Sequence, residues 1–285
     1  MHQNNMRMRW TVLLIFFIPF GVAAQKMPLV EEKIAGFKKL PGFFNLYWDE
    51  VQGKIWMEVD KPDTEVLYAS SLPAGLGSND IGLDRGRLGS SKIVKFAKTG
   101  RKLMMIQPNY EYRAVTGDAP EKRAVEQSFA QSTIWGFNIE AETGNHYLVD
   151  ATDFLLRDAL MVGPTLRRMR QGSFSFDKSR SAIYLNGTKN FPLNTEIEAT
   201  ITLISAEGDA GNFLRAVTPS PESVTLRMHH SFVQLPDSNY KPRVFDPRSS
   251  FIPVSFFDFS TPVTEPIEKQ FVMRHRLQKK NPAEE

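Results

Sequence analysis

The sequence predicts a mainly β protein: antiparallel sheets, sandwich or barrel-like, with two short helices and a Pro-rich extended C-terminal tail. Three observations predict it. After Pro41, apolar and polar residues alternate with a period of two through most of the chain, as in strands buried on one face. Eighteen glycines and eighteen prolines are spread along the 285 residues rather than clustered, as turns between many strands require. Only two stretches carry helix start signals.

The elements follow in order. Arg7 and Arg9 precede the apolar run 11–20, and Val22-Ala23-Ala24 places small residues before Gln25. A charged start, a short apolar core and a small-residue cut site predict a secretory signal peptide over residues 1–24. A membrane anchor needs about 20 apolar residues, and Pro19 and Gly21 interrupt this run too early. Export to the periplasm, cell envelope or medium is therefore expected, with no membrane span after cleavage. Cleavage removes Arg7 and Arg9 and no acid, leaving 33 basic against 32 acidic residues. That near-neutral balance argues against a nucleic-acid partner.

Phe44, Leu46 and Trp48 alternate with polar neighbours, and Ile55, Met57 and Val59 do the same beyond Gln52-Gly53, which reads as a hairpin. A third strand over 65–72 is expected to extend it into a meander, giving a small N-terminal β domain over 36–72. Residues 73–89 read as a turn-rich surface loop. A main β-rich domain over 81–234 follows. It opens with a hairpin about Lys98-Thr99-Gly100. Asp118-Ala119-Pro120-Glu121 has capping-box spacing before one short helix. Strands over 132–140 and 146–149 flank the turn 142–145, and Thr152 or Asp153 starts the second helix, which Gly163-Pro164 stops or kinks. Two long strands, 196–203 and 224–233, each show one apolar face. Residues 235–285 carry Pro236, Pro242, Pro247, Pro253, Pro262 and Pro266 and read as extended chain draped over the domain.

The chemistry is defined mostly by what the residues do not form. With no cysteine there is no disulfide framework, thiol nucleophile or thiolate ligand. The five histidines are His2, His146, His229, His230 and His275, and none begins a His-Glu-x-x-His motif. Adjacent residues on a strand face opposite ways, so His229 and His230 cannot chelate one ion; His230 is expected beside the core and His229 exposed. Asn79, Asp80 and Asp84 miss the spacing of a calcium loop. Asp49, Glu50, Asp150 and Asp153 have no matching acid–base partner in view, and Arg167, Arg168 and Arg170 read as a solvated face. Phe251, Phe256, Phe257 and Phe259 form either a partner-binding strip or a plug for their own domain. No catalytic, cofactor-binding or metal-ligating residue is assigned.

Several longer motifs carry a family likeness: Gly82-Leu83-Asp84-Arg85-Gly86-Arg87-Leu88-Gly89, Gln107-Pro108-Asn109-Tyr110-Glu111-Tyr112-Arg113, 223–232, 240–248, and Arg274-His275-Arg276-Leu277. From about Gly36 onward the chain resembles the non-catalytic N-terminal region, two domains of unknown function, of bacterial exported zinc-dependent metalloproteases. The resemblance implies a metzincin-like catalytic domain beyond Glu285, with zinc bound there and not in these residues. It also implies an accessory or pro-like role, partnered by that domain or by an envelope protein. The alternative expectation is an envelope peptide- or glycan-binding β protein with no enzyme partner. Hydrolysis at a novel site is the third.

Overall fold

The computed structural model describes residues 26–205, 208–277 and 283. The expected signal peptide over 1–24 lies outside them.

The chain first forms helix α1 (Val30–Lys33) and strands β1 (Lys38–Leu40), β2 (Asn45–Asp49), β3 (Lys54–Val59), β4 (Val66–Ala74), β5 (Lys92–Thr99), β6 (Lys102–Gln107) and β7 (Tyr112–Arg113). Helix α2 (Ala119–Ser128) leads to β8 (Ser132–Thr143) and β9 (His146–Asp150), then to helices α3 (Thr152–Leu155) and α4 (Val162–Arg168). The short strands β10 (Ser175–Phe176), β11 (Ala182–Ile183) and β12 (Lys189–Phe191) precede the long β13 (Asn194–Ile204). Helix α5 (Asn212–Val217), β14 (Ser223–Gln234), β15 (Pro253–Asp258) and β16 (Glu268–Val272) complete it.

The mainly β expectation holds. One antiparallel sheet runs β1-β2-β3-β9-β8-β6-β5-β4-β14-β13-β10 and curls on itself into a nearly closed barrel. The alternating strands supply its filling: Phe44, Phe96, Phe137 and Phe232 from the wall, together with Leu46, Ile55, Met57, Val94, Leu103 and Met105, are essentially inaccessible. Burying each such side chain contributes roughly 1.5–3 kcal/mol. The interior is packed with these side chains, as in small barrels.

One backbone bond and several side-chain bonds close the seam where the ladder does not. Phe43 N–H donates to the Phe191 carbonyl (2.7 Å), and Phe44 N–H donates to Thr195 Oγ1 (3.0 Å). Asn190 Nδ2 donates to the carbonyls of Leu40 and Phe44 (both 2.7 Å). Gly42 is required here, because a Cβ would overlap the Asn190 amide.

A second core fills the space between one end of β4, β13 and β14 and helices α4 and α5, with Leu72, Leu166, Ala199, Ile201, Leu214 and Val224 among its members. A third lies outside β2 and β3, where α1 covers Tyr47, Trp56 and Leu148 with Val30.

Several expectations need correction. The described residues hold five α-helices rather than two; three of the five, α1, α3 and α5, are of four to six residues, too short to show a helical period. Gly163 and Pro164 do not end a helix but sit in the first turn of α4, where proline costs nothing. Asp158 satisfies that turn instead, accepting from Val162 N (2.8 Å) and Gly163 N (2.9 Å). Strand β4 does not extend the β2–β3 hairpin; β9 takes the β3 edge, and β4 pairs with β14 and β5.

The 73–89 segment is not simply a surface loop. It folds back along β4 and buries Leu76, Ile81 and Leu83 in the second core. Gly75 permits this, since a Cβ there would meet the backbone of residues 83–85. The expected tail over 235–285 is not irregular throughout either: β15 and β16 form a hairpin that adds in parallel to β7. Its prolines fall outside the strand interiors, Pro253 being the first residue of β15.

Candidate interaction surface

The three histidines on the strands go to three separate places. His146 Nδ1 meets Glu58 Oε1 at 2.6 Å on the outer face of β3 and β9, where Tyr47 Oη (2.6 Å) and Asn45 Nδ2 (3.1 Å) also donate to that carboxylate. Burial alone would raise Glu58, but these three donors outweigh it and hold the carboxyl below its usual range. Burial and the same carboxylate push the Tyr47 phenol up.

His229 was expected to be exposed, and is not. Its Nε2 sits 2.6 Å from Glu196 Oε2 and its Nδ1 3.4 Å from Glu198 Oε1, with about a fifth of the side chain accessible. Ser231 and Asn194 also donate to Glu196, and Arg227 Nη1 reaches Glu198 (3.4 Å) while its guanidinium lies over the Tyr184 ring. Burial would lower the imidazole pKa, but the hydrogen bonds and charges of Glu196 and Glu198 win and raise it. Ser231 bonds the carboxylate rather than the imidazole, so the three do not form a relay to a nucleophile.

His230, one residue on, points into the barrel as expected and is fully buried. The Leu155 carbonyl, 3.0 Å from Nε2, can only accept, so Nε2 carries the proton and Nδ1 accepts from Tyr68 Oη at 2.9 Å. Arg157 Nη2 in turn donates to Tyr68 Oη (3.2 Å). Burial, reinforced by Arg157, pushes the imidazole pKa down to about 3. Among the described residues no three His, Asp or Glu side chains converge as metal ligands.

The other acidic candidates serve turns and surface pairs. Asp49 accepts from Val51 N (3.1 Å) and Gln52 N (3.0 Å), Asp150 meets Lys54 (2.9 Å), and Asp153 meets Lys178 (2.6 Å).

The C-terminal hairpin settles how the phenylalanine strip is used. Phe257 stacks on Tyr112 (5.5 Å), which stacks on Phe129 at 4.0 Å; Phe259 also packs against Phe129. Arg113 lies 4.3 Å over Phe256. These rings fasten the hairpin to its own chain, anchored further by Asp258, which accepts from Val115 N (3.0 Å). The outer surface stays open. Val244, Phe271 and Val254 stand side by side across three adjacent segments, flanked by Phe251, Ile252 and Met273; all but the half-buried Phe271 are at least half exposed. Met273 N–H donates to the Ile252 carbonyl (3.0 Å), so backbone bonding holds this apolar strip in shape. Lys241 and Arg243 lie beside it with no ion pair among the described residues.

Sequence reasoning singled out Phe251 but missed Val244, Ile252, Val254 and Met273, whose exposure depends on the β15–β16 pairing. It also missed Lys92, Trp135 and Arg157 at the barrel end. The parity of β5 held a signal for the first: Lys92 shares the inward face of Val94 and Phe96.

A family model described as a domain of unknown function (DUF5117) matches residues 86–280. No curated protein and no solved structure matches the chain.

Proposed function

The chain belongs to the DUF5117 family, and from that premise we propose that it is an exported, non-catalytic accessory module that docks a zinc-peptidase catalytic domain, in cis or in trans. The observation that carries the reading is the preformed apolar strip Val244, Phe251, Ile252, Val254 and Met273 on the C-terminal hairpin. Exposed contiguous apolar side chains on an ordered strand pair are the usual mark of a protein-binding face. Lys241 and Arg243 at its rim favour a partner with an apolar centre and an acidic border. The peptidase as partner comes from the sequence resemblance. The internal engagement of His146, His229 and His230 supports a role other than hydrolysis.

Sedimentation velocity tests this directly. Purified chain is mixed with a catalytic domain bearing the extended His-Glu-x-x-His motif and encoded with it. A one-to-one complex is expected, lost in a Phe251→Ser, Ile252→Ser double variant that keeps the parent's circular dichroism. Absence of a complex, or equal binding by the double variant, removes the proposal.

A further inference from the structure

Beyond the end of β16, two segments distant in sequence meet around a cleft lined by three cations. Asn239, Tyr240 and Lys241 form one wall, and Arg274, Arg276 and Leu277 form the other. The cleft holds about 220 Å³. That is below the roughly 300–1,000 Å³ of sites that enclose a whole small molecule, so it suits one charged group rather than an entire ligand. Among the described residues no acid lines it, and Leu277 is its one apolar member.

Contacts within the chain hold the cations in place. Arg274 Nη2 donates to the Lys241 carbonyl (2.9 Å), and its guanidinium lies 5.2 Å from the centre of the Tyr240 ring. These contacts tie one wall to the other. Arg276 meets both carboxylate oxygens of Asp237 (2.5 and 3.3 Å), which neutralises it. Among the described residues neither Lys241 nor Arg274 forms an ion pair. Three cations against one carboxylate leave a charge of +2 at the cleft.

That charge selects the ligand. A phosphate monoester carries about −1.5 to −2 near neutral pH and presents three acceptor oxygens, whereas a carboxylate or a phosphodiester carries a single charge. The guanidinium fork matches two phosphoryl oxygens, and the lysine adds a point charge for a third.

We propose that Lys241 and Arg274, flanked by Arg276, form a binding site for the phosphoryl group of a phosphate monoester. None of Val244, Phe251, Ile252, Val254 and Met273 lines this cleft, so the site stands whether or not the apolar strip docks a peptidase.

Titration calorimetry on the full chain at pH 7.5 and low salt tests it with glycerol phosphate, dimethyl phosphate and acetate. Glycerol phosphate is expected to bind one per chain, at least tenfold more tightly than either monoanion. Arg274→Gln is expected to weaken that binding at least tenfold. Lys241→Gln is expected to do the same with an unchanged thermal midpoint, because its ammonium has no bond within the described residues to lose. The Phe251→Ser, Ile252→Ser variant is expected to bind glycerol phosphate as the parent does. Vesicle flotation identifies the source of the group. Binding to phosphatidic acid vesicles but not to phosphatidylcholine, competed by glycerol phosphate, assigns it to a lipid; binding of glycerol phosphate alone assigns it to a soluble ester. No binding of glycerol phosphate, equal binding of dimethyl phosphate or acetate, or equal binding by Lys241→Gln would overturn the assignment.

Discussion

His230 is the most exacting test of the barrel interior, because its protonation state follows from its hydrogen bonds. In the folded chain it is neutral, donating to Leu155 and accepting from Tyr68. Replacing it by Leu removes both the donor for the Leu155 carbonyl and the acceptor for the Tyr68 hydroxyl. A buried polar group left without its partner costs about 1–3 kcal/mol, and Tyr68 Oη still accepts from Arg157, so His230→Leu is expected to be less stable by about 1–3 kcal/mol at pH 7.5. The acid side reverses the ranking. The folded imidazole titrates at about 3 and the unfolded one near its ordinary 6.5. Between those values the unfolded state binds the extra proton, so stability is full above 6.5 and falls as the pH drops. The slope is about 1.4 kcal/mol per pH unit. The Leu variant lacks that slope, and its deficit should close about one to two units below 6.5, near pH 5. Urea unfolding followed by tryptophan fluorescence from pH 4.5 to 8 measures the difference directly, and contributions from other groups cancel in it. Parallel stability profiles for the two proteins would refute a buried neutral His230.

His229 carries the opposite sign. Its raised pKa gives stability that is full below about 6.5 and lost as the pH rises through the folded value, while the lowered Glu196 pKa limits the gain at the acid end. His229→Gln should therefore cost most between pH 5 and 6, about 1–2 kcal/mol for a charge-assisted bond. The deficit should shrink toward the alkaline end of the same urea series, as the pH rises through the folded value. Phe232→Ala removes a ring that contacts Phe44, Tyr68, Phe96 and Phe154, and should cost about 3–5 kcal/mol in the urea midpoint. Gly42→Ala should open the seam by displacing Asn190. Faster hydrogen exchange at the Phe43 and Phe44 amides, with β13–β14 amides unchanged, would show it.

Local patterns carried much of the fold. Gln52-Gly53 and Lys98-Thr99-Gly100 mark hairpins that form as read, and the alternation over 196–203 and 224–233 becomes the eleven-residue pairing of β13 with β14. What the sequence hid is pairing across distance. Val66 of β4 lies opposite Gln234 of β14, and no period along either segment encodes that choice. The same non-locality hid the hairpin at the C-terminus: prolines there suggested unpaired chain, yet the stretch from Val254 to Asp258 has none and finds β7, far earlier in the chain, as its neighbour. Outward-facing Glu58 and His229 looked solvated because alternation assigns them to the polar face. Side chains from neighbouring strands, Tyr47 beside Glu58 and Glu196 with Glu198 beside His229, then enclose them.

We propose that this chain acts by binding and does not hydrolyse peptides with a metal of its own. Metal analysis after equilibration with zinc and gel filtration, paired with a peptide-cleavage assay with and without chelator, tests it most directly. The expected result is no retained zinc and no chelator-sensitive turnover. One zinc per chain with cleavage that the chelator abolishes would contradict it.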